Sequence, residues 1–198
     1  MKLKKIAKIQ SGYISRGKIE SIDDGSHFLL QARDVDGKRL IYNADNLIRF
    51  SPGLSGKDWI LEPNDVLFMA RGARNYSILI NEIPDNVLAA ACFFIVRVTN
   101  SMVQPHYLFW YLNQEPVENY FRQHSGRGVH MPVVRRDVLE NLDIPVPPVK
   151  VQAGIAKLDG LLRKEMELLH KLAENRKNLI TAACLAAVRD NTGLRKVK

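Results

Sequence analysis

The most regular pattern of apolar and polar positions lies in the last quarter of the chain. Ile155, Leu158, Leu162, Met166, Leu169, Leu172, Leu179 and Ala183 recur at steps of three, four or seven, the spacing that lines one face of an α-helix. No proline falls between Val149 and Arg189, and Gly154 and Gly160 both sit near the beginning of that span. The stretch that precedes it, Ile144-Pro145-Val146-Pro147-Pro148, stops any helix from running in, because proline pushes the residue before it to extended backbone. Pro148 itself suits the first helical position, where a missing N–H costs nothing. The pattern thus predicts one helix from Pro148 to about Arg189. Roughly 40 residues would make a rod about 60 Å long, more than a domain of this size needs, so the rod is expected to find a partner.

That stripe is wide, since Leu161, Leu168 and Ala182 extend it sideways, and it is interrupted where Asn175 and Arg176 replace apolar residues. A polar residue in a seam can fix register and partner number. The expected pairing surface is therefore Leu158, Leu161, Leu162, Leu168, Leu169, Leu172 and Leu179, in a coiled coil. A helix lying along its own domain, with Asn175 facing water, is the simpler alternative.

Before Pro148 the pattern changes to short runs. Leu3, Ile6, Ala7 and Ile9 have helical spacing and predict a short helix ending before Ser11-Gly12. Tyr13 to Gly25 reads as loop. His27 to Ala32 predicts a strand, and Asp36-Gly37 is a two-residue hairpin signal leading into Arg39-Leu40-Ile41-Tyr42. Further strands are expected at Leu47–Phe50, Val66–Ala70, Ser77–Ile80 and Leu88–Val98, with Pro63-Asn64-Asp65 as a turn. Pro105 opens a helix through Leu112, a second short helix covers Val117 to Phe121, and Ser125 to Pro132 is a glycine-hinged loop. Val138, Leu139 and Leu142 give one more helical turn. Strands first and helices later predict an α+β domain with a mixed or mostly antiparallel sheet. The expected division is a domain over 1–147, a helix over 148–189 and a basic tail over 190–198.

Composition narrows this picture only a little. The chain has 198 residues, 46% of them hydrophobic, enough for a core plus an appendage. It contains no apolar run of membrane-spanning length, and no apolar segment follows the basic start Met1-Lys2-Leu3-Lys4-Lys5. Cys92 and Cys184 lie in apolar surroundings without CxxC spacing, as expected of buried thiols in a reducing cytoplasm. The net charge of +8 is uneven. From Val149 onward there are 11 Lys/Arg against 5 Asp/Glu, and before it 18 against 16. Such a balance fits contact with a polyanion, and it fits a solvated helix face and basic tail equally well.

Catalytic signatures are missing. The sequence has no GxxxxGK[ST], no GxGxxG after a strand, no GxSxG and no HExxH. His124 and His130 share a neighbourhood, but no second ligand pair accompanies them. Asp36-Gly37-Lys38 is similar to the end of a metal-dependent nuclease motif, yet the proline-aspartate such a site carries upstream is absent. The asparagine-proline-proline-aromatic run of amino-methyltransferases is absent too, since Val146-Pro147-Pro148-Val149 cannot supply it. The reading is a binder, with no metal and no cofactor.

Four pieces, in order, then carry a resemblance. They are Leu3…Ile6-Ala7…Ser11-Gly12; Glu62-Pro63-Asn64-Asp65-Val66-Leu67 ending in Arg71-Gly72; Gly126-Arg127-Gly128 leading into Asp137-Val138-Leu139; and Ile144-Pro145-Val146-Pro147-Pro148 with Gln152 and the long helix. Together they resemble the DNA specificity subunit of type I restriction–modification systems. The resemblance implies a target recognition domain followed by a helix that pairs with its counterpart. It implies no catalysis, and as partners double-stranded DNA, methyltransferase subunits and, in complete systems, restriction subunits. Full-length members have two domain-plus-helix units, whereas this sequence has one and so resembles half a subunit, expected to form a homodimer through the helix.

A DNA reader needs side chains that reach base edges from loops on a rigid scaffold. Arginine pairs in two-pronged fashion with guanine and asparagine with adenine, which makes Arg74 and Asn75 candidates for bases. Arg71 and Tyr76 are candidates for phosphates. Arg16, Lys18, Arg33, Arg127 and His130 complete the expected surface. For each, the competing expectation is an ordinary solvated side chain. Two other function classes remain beside the specificity subunit: a coiled-coil adaptor without base readout, and a nuclease with a hidden metal site.

Overall fold

The computed structural model describes all residues except 16, 18, 46, 53–58, 73, 125–132 and 193–198. The described residues divide into two compact units, the first ending at Ala156 and the second beginning at Lys157.

A four-stranded antiparallel sheet forms the middle of the first unit. Its strands are β1 (Ala7–Ser11), β6 (Val66–Met69), β7 (Ser77–Leu79) and β9 (Phe93–Val98), in the order β1-β9-β6-β7. The sheet is buried on both faces, so its inner strands read as continuous apolar runs. Val66, Phe68, Leu79 and Val96 pack on one side with Ile9, Tyr107, Leu108, Phe121, Leu139 and Ile144. Leu67, Met69, Ile78, Ile80, Phe93 and Ile95 pack on the other side with Leu30, Val87 and Ala89. The first side is covered by helices α1 (Pro105–Leu112), α2 (Glu115–His124) and α3 (Arg136–Glu140). The second is covered by β2 (His27–Leu30) and β8 (Val87–Ala89), strands of a three-stranded sheet ordered β5-β2-β8, with β5 (Ile48–Phe50) at one edge. β2 pairs antiparallel with β5 and parallel with β8, so the architecture is α+β with mixed sheets. A separate hairpin joins β3 (Val35–Asp36) to β4 (Ile41–Tyr42).

Three expectations change. The segment after Leu3 is not a helix: a 3-10 turn at Leu3–Lys5 passes into β1, paired from Ala7↔Val98 to Ser11↔Phe94. The short window Ala7-Lys8-Ile9 satisfies period two as well as helical spacing, and sheet pairing decides between them. The run Leu88–Val98 is two strands, not one. A turn closed by Phe93 N–H to the Ala90 carbonyl, 3.0 Å, sends its halves to different sheets. The Asp36-Gly37 hairpin exists, but residues 37–40 all lie in its turn, and Leu40 takes a positive φ of 56°.

The second unit is helical. Helix α4 runs Val149–Thr192, 44 residues or about 66 Å. Its entry is locked on the first unit's side. The Gln152 side chain, fully buried, accepts from Gln104 N–H at 2.9 Å and donates to the carbonyls of Met102 (2.7 Å) and Pro147 (2.8 Å). Tyr107 donates its hydroxyl to the Pro145 carbonyl at 2.7 Å. From Leu158 onward the large apolar side chains are exposed, Leu158 at 69% and Leu179 at 71%. Cys184 among them is exposed rather than buried as expected, while Cys92 is half-buried.

Candidate nucleic-acid interface

The loop between β6 and β7 is fixed at its base and open at its tip. Met69 N–H donates to the Tyr76 carbonyl at 2.8 Å, and the Asn75 amide nitrogen donates to the Met69 carbonyl at 2.9 Å. The N–H groups of Ala70 and Arg71 both reach the Cys92 carbonyl, at 2.9 and 3.2 Å, while Val134 N–H donates to the Ala70 carbonyl at 2.9 Å. The turn at the other end of β6 is equally determined. Asp65, 1% exposed, accepts Glu62 N–H and a two-pronged contact from Arg97, with Nε and Nη2 each at 2.7 Å. Arg97 also donates to Glu62 at 2.6 Å and to the Ile60 carbonyl at 3.1 Å. The hydrogen bonds to Asp65 hold the Arg97 guanidinium even more firmly protonated than usual.

Of the expected DNA contacts, Arg71 and Arg74 project from this loop as exposed side chains. Asn75 and Tyr76 do not share that position. Asn75 is half-buried and spends its amide on the loop's own backbone. Tyr76 is 9% exposed and packs in the core with Leu67, Met69 and Ile78. Burial pushes its phenol pKa up, Cys92 and Asp36 add to that, and Arg74 opposes it. The expectation of Tyr76 as an open loop phenol is thus corrected: the apolar pattern resumes one residue before β7. Arg33, on a 3-10 turn at Ala32–Asp34, has its side chain 64% exposed and 3.8 Å from Asp34. Arg16, Lys18, Arg127 and His130 lie outside the described residues.

The β3–β4 hairpin stands beside this loop. A Cβ on Gly37 would come within 2.6 Å of Tyr76 Cε1, so hairpin backbone rests on the buried ring. Cys92 links the two segments further, bound to Arg71 N–H through its carbonyl and to the Ala32 backbone through its thiol, whose pKa burial raises. The hairpin turn is held by Asp36, whose Oδ1 accepts Lys38 N–H (2.9 Å) and Arg39 N–H (3.1 Å). The Arg39 bond leads in lowering its pKa. Asp36 therefore has a turn-forming job, as the hairpin reading expects. Lys38 and Arg39 are exposed here, two cations absent from the expected surface; their position just after Asp-Gly was the available signal. A cavity of about 310 Å³ lies along the hairpin, lined by Arg33, Asp36, Arg39 and Tyr42 among others.

No family model matches the chain. Two curated proteins of Methanocaldococcus jannaschii do match. The putative type I restriction enzyme MjaX specificity subunit is 28% identical over 95 residues, covering 44% of this chain and 22% of its own. The type I restriction enzyme MjaVIII specificity subunit is 26% identical over 125 residues, covering 60% and 28%. Among solved structures, the HsdS subunit of Thermoanaerobacter tengcongensis superposes with a TM-score of 0.61 at 15% identity, covering 86% of this chain and 38% of that one. A structure from work on assembly and conformational transition of the type I restriction–modification system gives 0.66 at 17% identity, covering 91% and 42%. In sequence and in fold, the chain resembles type I specificity subunits. It spans about a quarter of the length of the curated relatives it matches and about two fifths of those solved structures.

Several described residues of the motifs quoted in the sequence analysis sit at joints of the scaffold. Gly12 is one: a Cβ there would fall 2.3 Å from the Ala90 carbonyl oxygen, where β1 passes the β8–β9 turn. Asp65 is another, and Gln152 a third.

Proposed function

We propose that this chain is a DNA-reading unit of a type I restriction–modification system, one domain-plus-helix unit of a specificity subunit. In this reading 1–147 is the target recognition domain, 148–189 the spacer and pairing helix, and 190–198 a basic tail. The chain itself catalyses nothing and brings methyltransferase and restriction subunits to the site it reads. The observation that carries the reading is the β6–β7 loop, with exposed guanidiniums on a base fixed by backbone hydrogen bonds, within a fold and sequence similar to specificity subunits. Arg74 is the base reader on this loop, and Arg71 and Arg33 serve phosphates.

Two copies pair through α4 along Leu158, Leu162, Leu169 and Leu172, and the extra width at Leu161 and Leu168 receives the methyltransferase. A two-fold homodimer then prefers a palindrome whose half-sites are separated by the helix pair. The exposed leucines would serve an adaptor without base readout equally well, so base selection is the deciding test. Selection from a random duplex pool should enrich one motif with the wild-type chain. Arg74→Ala should relax one position of that motif at about 1–3 kcal/mol, as for loss of a bidentate base contact. A wild-type chain that enriches nothing rejects base reading and favours the adaptor.

A further inference from the structure

We propose that the β3–β4 hairpin is a second DNA-contacting finger, and that buried Tyr76 sets its position against the Arg71–Arg74 loop. The inference rests on the DNA-reading proposal and deepens it. Lys38 and Arg39 lie at the exposed hairpin turn, with Asp36 fixing their backbone from inside the turn. The seat beneath them is the Tyr76 ring, which is nearly buried and meets Gly37 where any Cβ would come within 2.6–2.8 Å of its carbons. A ring packed among Leu67, Met69 and Ile78 cannot swing aside as an exposed side chain would. Tyr76 also follows Asn75 directly, and its carbonyl accepts Met69 N–H at the base of the cationic loop. One residue thereby references both cationic segments to the same strand pair.

The charges agree with this placement. Asp36 and Arg74 both act on the Tyr76 phenol, which brings hairpin turn and loop tip to one neighbourhood. Tyr42, on the hairpin's return strand, donates its hydroxyl to the Glu82 carbonyl at 2.5 Å, a second tie to the scaffold. A reading surface made of two ordered segments spans more than either alone. Small errors in their spacing should then cost selectivity before they cost affinity.

The test uses the full chain and three variants on a random duplex pool, followed by affinity and salt titration on the enriched site. Lys38→Ala/Arg39→Ala changes only exposed residues. It should weaken binding on the order of tenfold, and lower the salt slope by about 2 if both cations meet phosphate. Gly37→Ala lifts the hairpin from the ring and should alter the enriched motif while binding to random DNA stays within about twofold, as a positioning role requires. Tyr76→Phe keeps the ring and should leave the motif unchanged. If the wild-type chain enriches a motif and the double variant keeps its affinity, salt slope and motif, the finger is excluded while DNA reading stands. If Gly37→Ala folds with an unchanged motif, the positioning role of Tyr76 is excluded. A wild-type chain without a motif overturns the finger together with the reading on which it rests.

Discussion

The same residue type behaves oppositely in the two units of this chain. Leu67, Leu88 and Leu108 are fully buried, whereas Leu158, Leu161 and Leu162 are each more than half exposed. The first unit satisfies its apolar surface internally, through a sheet covered on both faces. The second, from Lys157 on, exposes Met166, Leu168, Leu169, Leu172, Leu179 and Ile180 in succession. An exposed apolar surface of that length is what the proposed pairing through the helix would cover. Its polar face carries local ion pairs four residues apart, such as Arg163–Asp159 and Lys171–Glu167. The strands of the domain bury their apolar residues, and the helix leaves its own exposed.

The largest effect expected from breaking that contrast lies in the helix. Leu162→Glu with Leu169→Glu puts charge into the seam of the proposed homodimer. Light scattering should show a dimer for wild type and a folded monomer for the variant. DNA affinity should fall roughly 100-fold or more, because the second half-site is no longer tethered. The melting temperature of the first unit should hardly move. A wild-type chain that stays monomeric at high concentration, alone and on DNA, removes the homodimer and assigns the helix to a non-identical partner.

A smaller effect, confined to the first unit, is expected at Asp65. Removing this carboxylate leaves the Arg97 guanidinium with Glu62 and the Ile60 carbonyl, and frees Glu62 N–H. Loss of one partner of a buried pair costs more than the pair contributes. With Arg97 one-third exposed, Asp65→Ala should cost about 2–4 kcal/mol, or roughly 5–15 °C in melting temperature. Dimerisation should persist below that temperature. Calorimetry on both variants separates the units, and a shared loss of both properties would show that they do not behave independently.

How much of this was legible in the sequence follows the same division. Helix α4 was read to within three residues of its end, because 44 residues of one period leave little ambiguity. The inner strand Val66–Met69 was legible as a continuous apolar run, and the edge strand Ser77–Leu79 as the point where the strand pattern resumes after the loop. Ala7–Ser11 was not, since five residues satisfy two periods and the partner strand lies some ninety residues away. In the candidate interface, Arg71 and Arg74 are exposed, as residue type and loop position led one to expect. The position of Tyr76 was not legible, because its burial depends on Gly37 folding back over it, a contact no local pattern encodes. The jobs of Asp65 and Gln152 were equally hidden: each motif was visible, and its hydrogen-bond partners were not.

The smallest effect sharpens the contrast at the start of α4. Gln152 accepts from Gln104 N–H and donates to two carbonyls, those of Met102 and Pro147. Gln152→Ala leaves three part-buried backbone groups to find water and should cost about 1–3 kcal/mol. Amide exchange at Gln104 should speed up accordingly. Gln152→Glu separates the two directions of bonding. Its carboxylate still accepts from Gln104, so that amide should stay protected, but it faces the Met102 and Pro147 carbonyls with no proton to donate. The neutral acid can donate once, so the folded state raises this carboxyl's pKa above its unfolded value of about 4.3. A raised carboxyl pKa means that stability is lost as pH climbs through the interval above 4.3. Gln152→Glu should therefore approach wild type near pH 4 and fall below it at pH 7. If Gln152→Ala melts as wild type does, or Gln152→Glu shows no such pH dependence, the two carbonyl bonds do not hold the entry of α4.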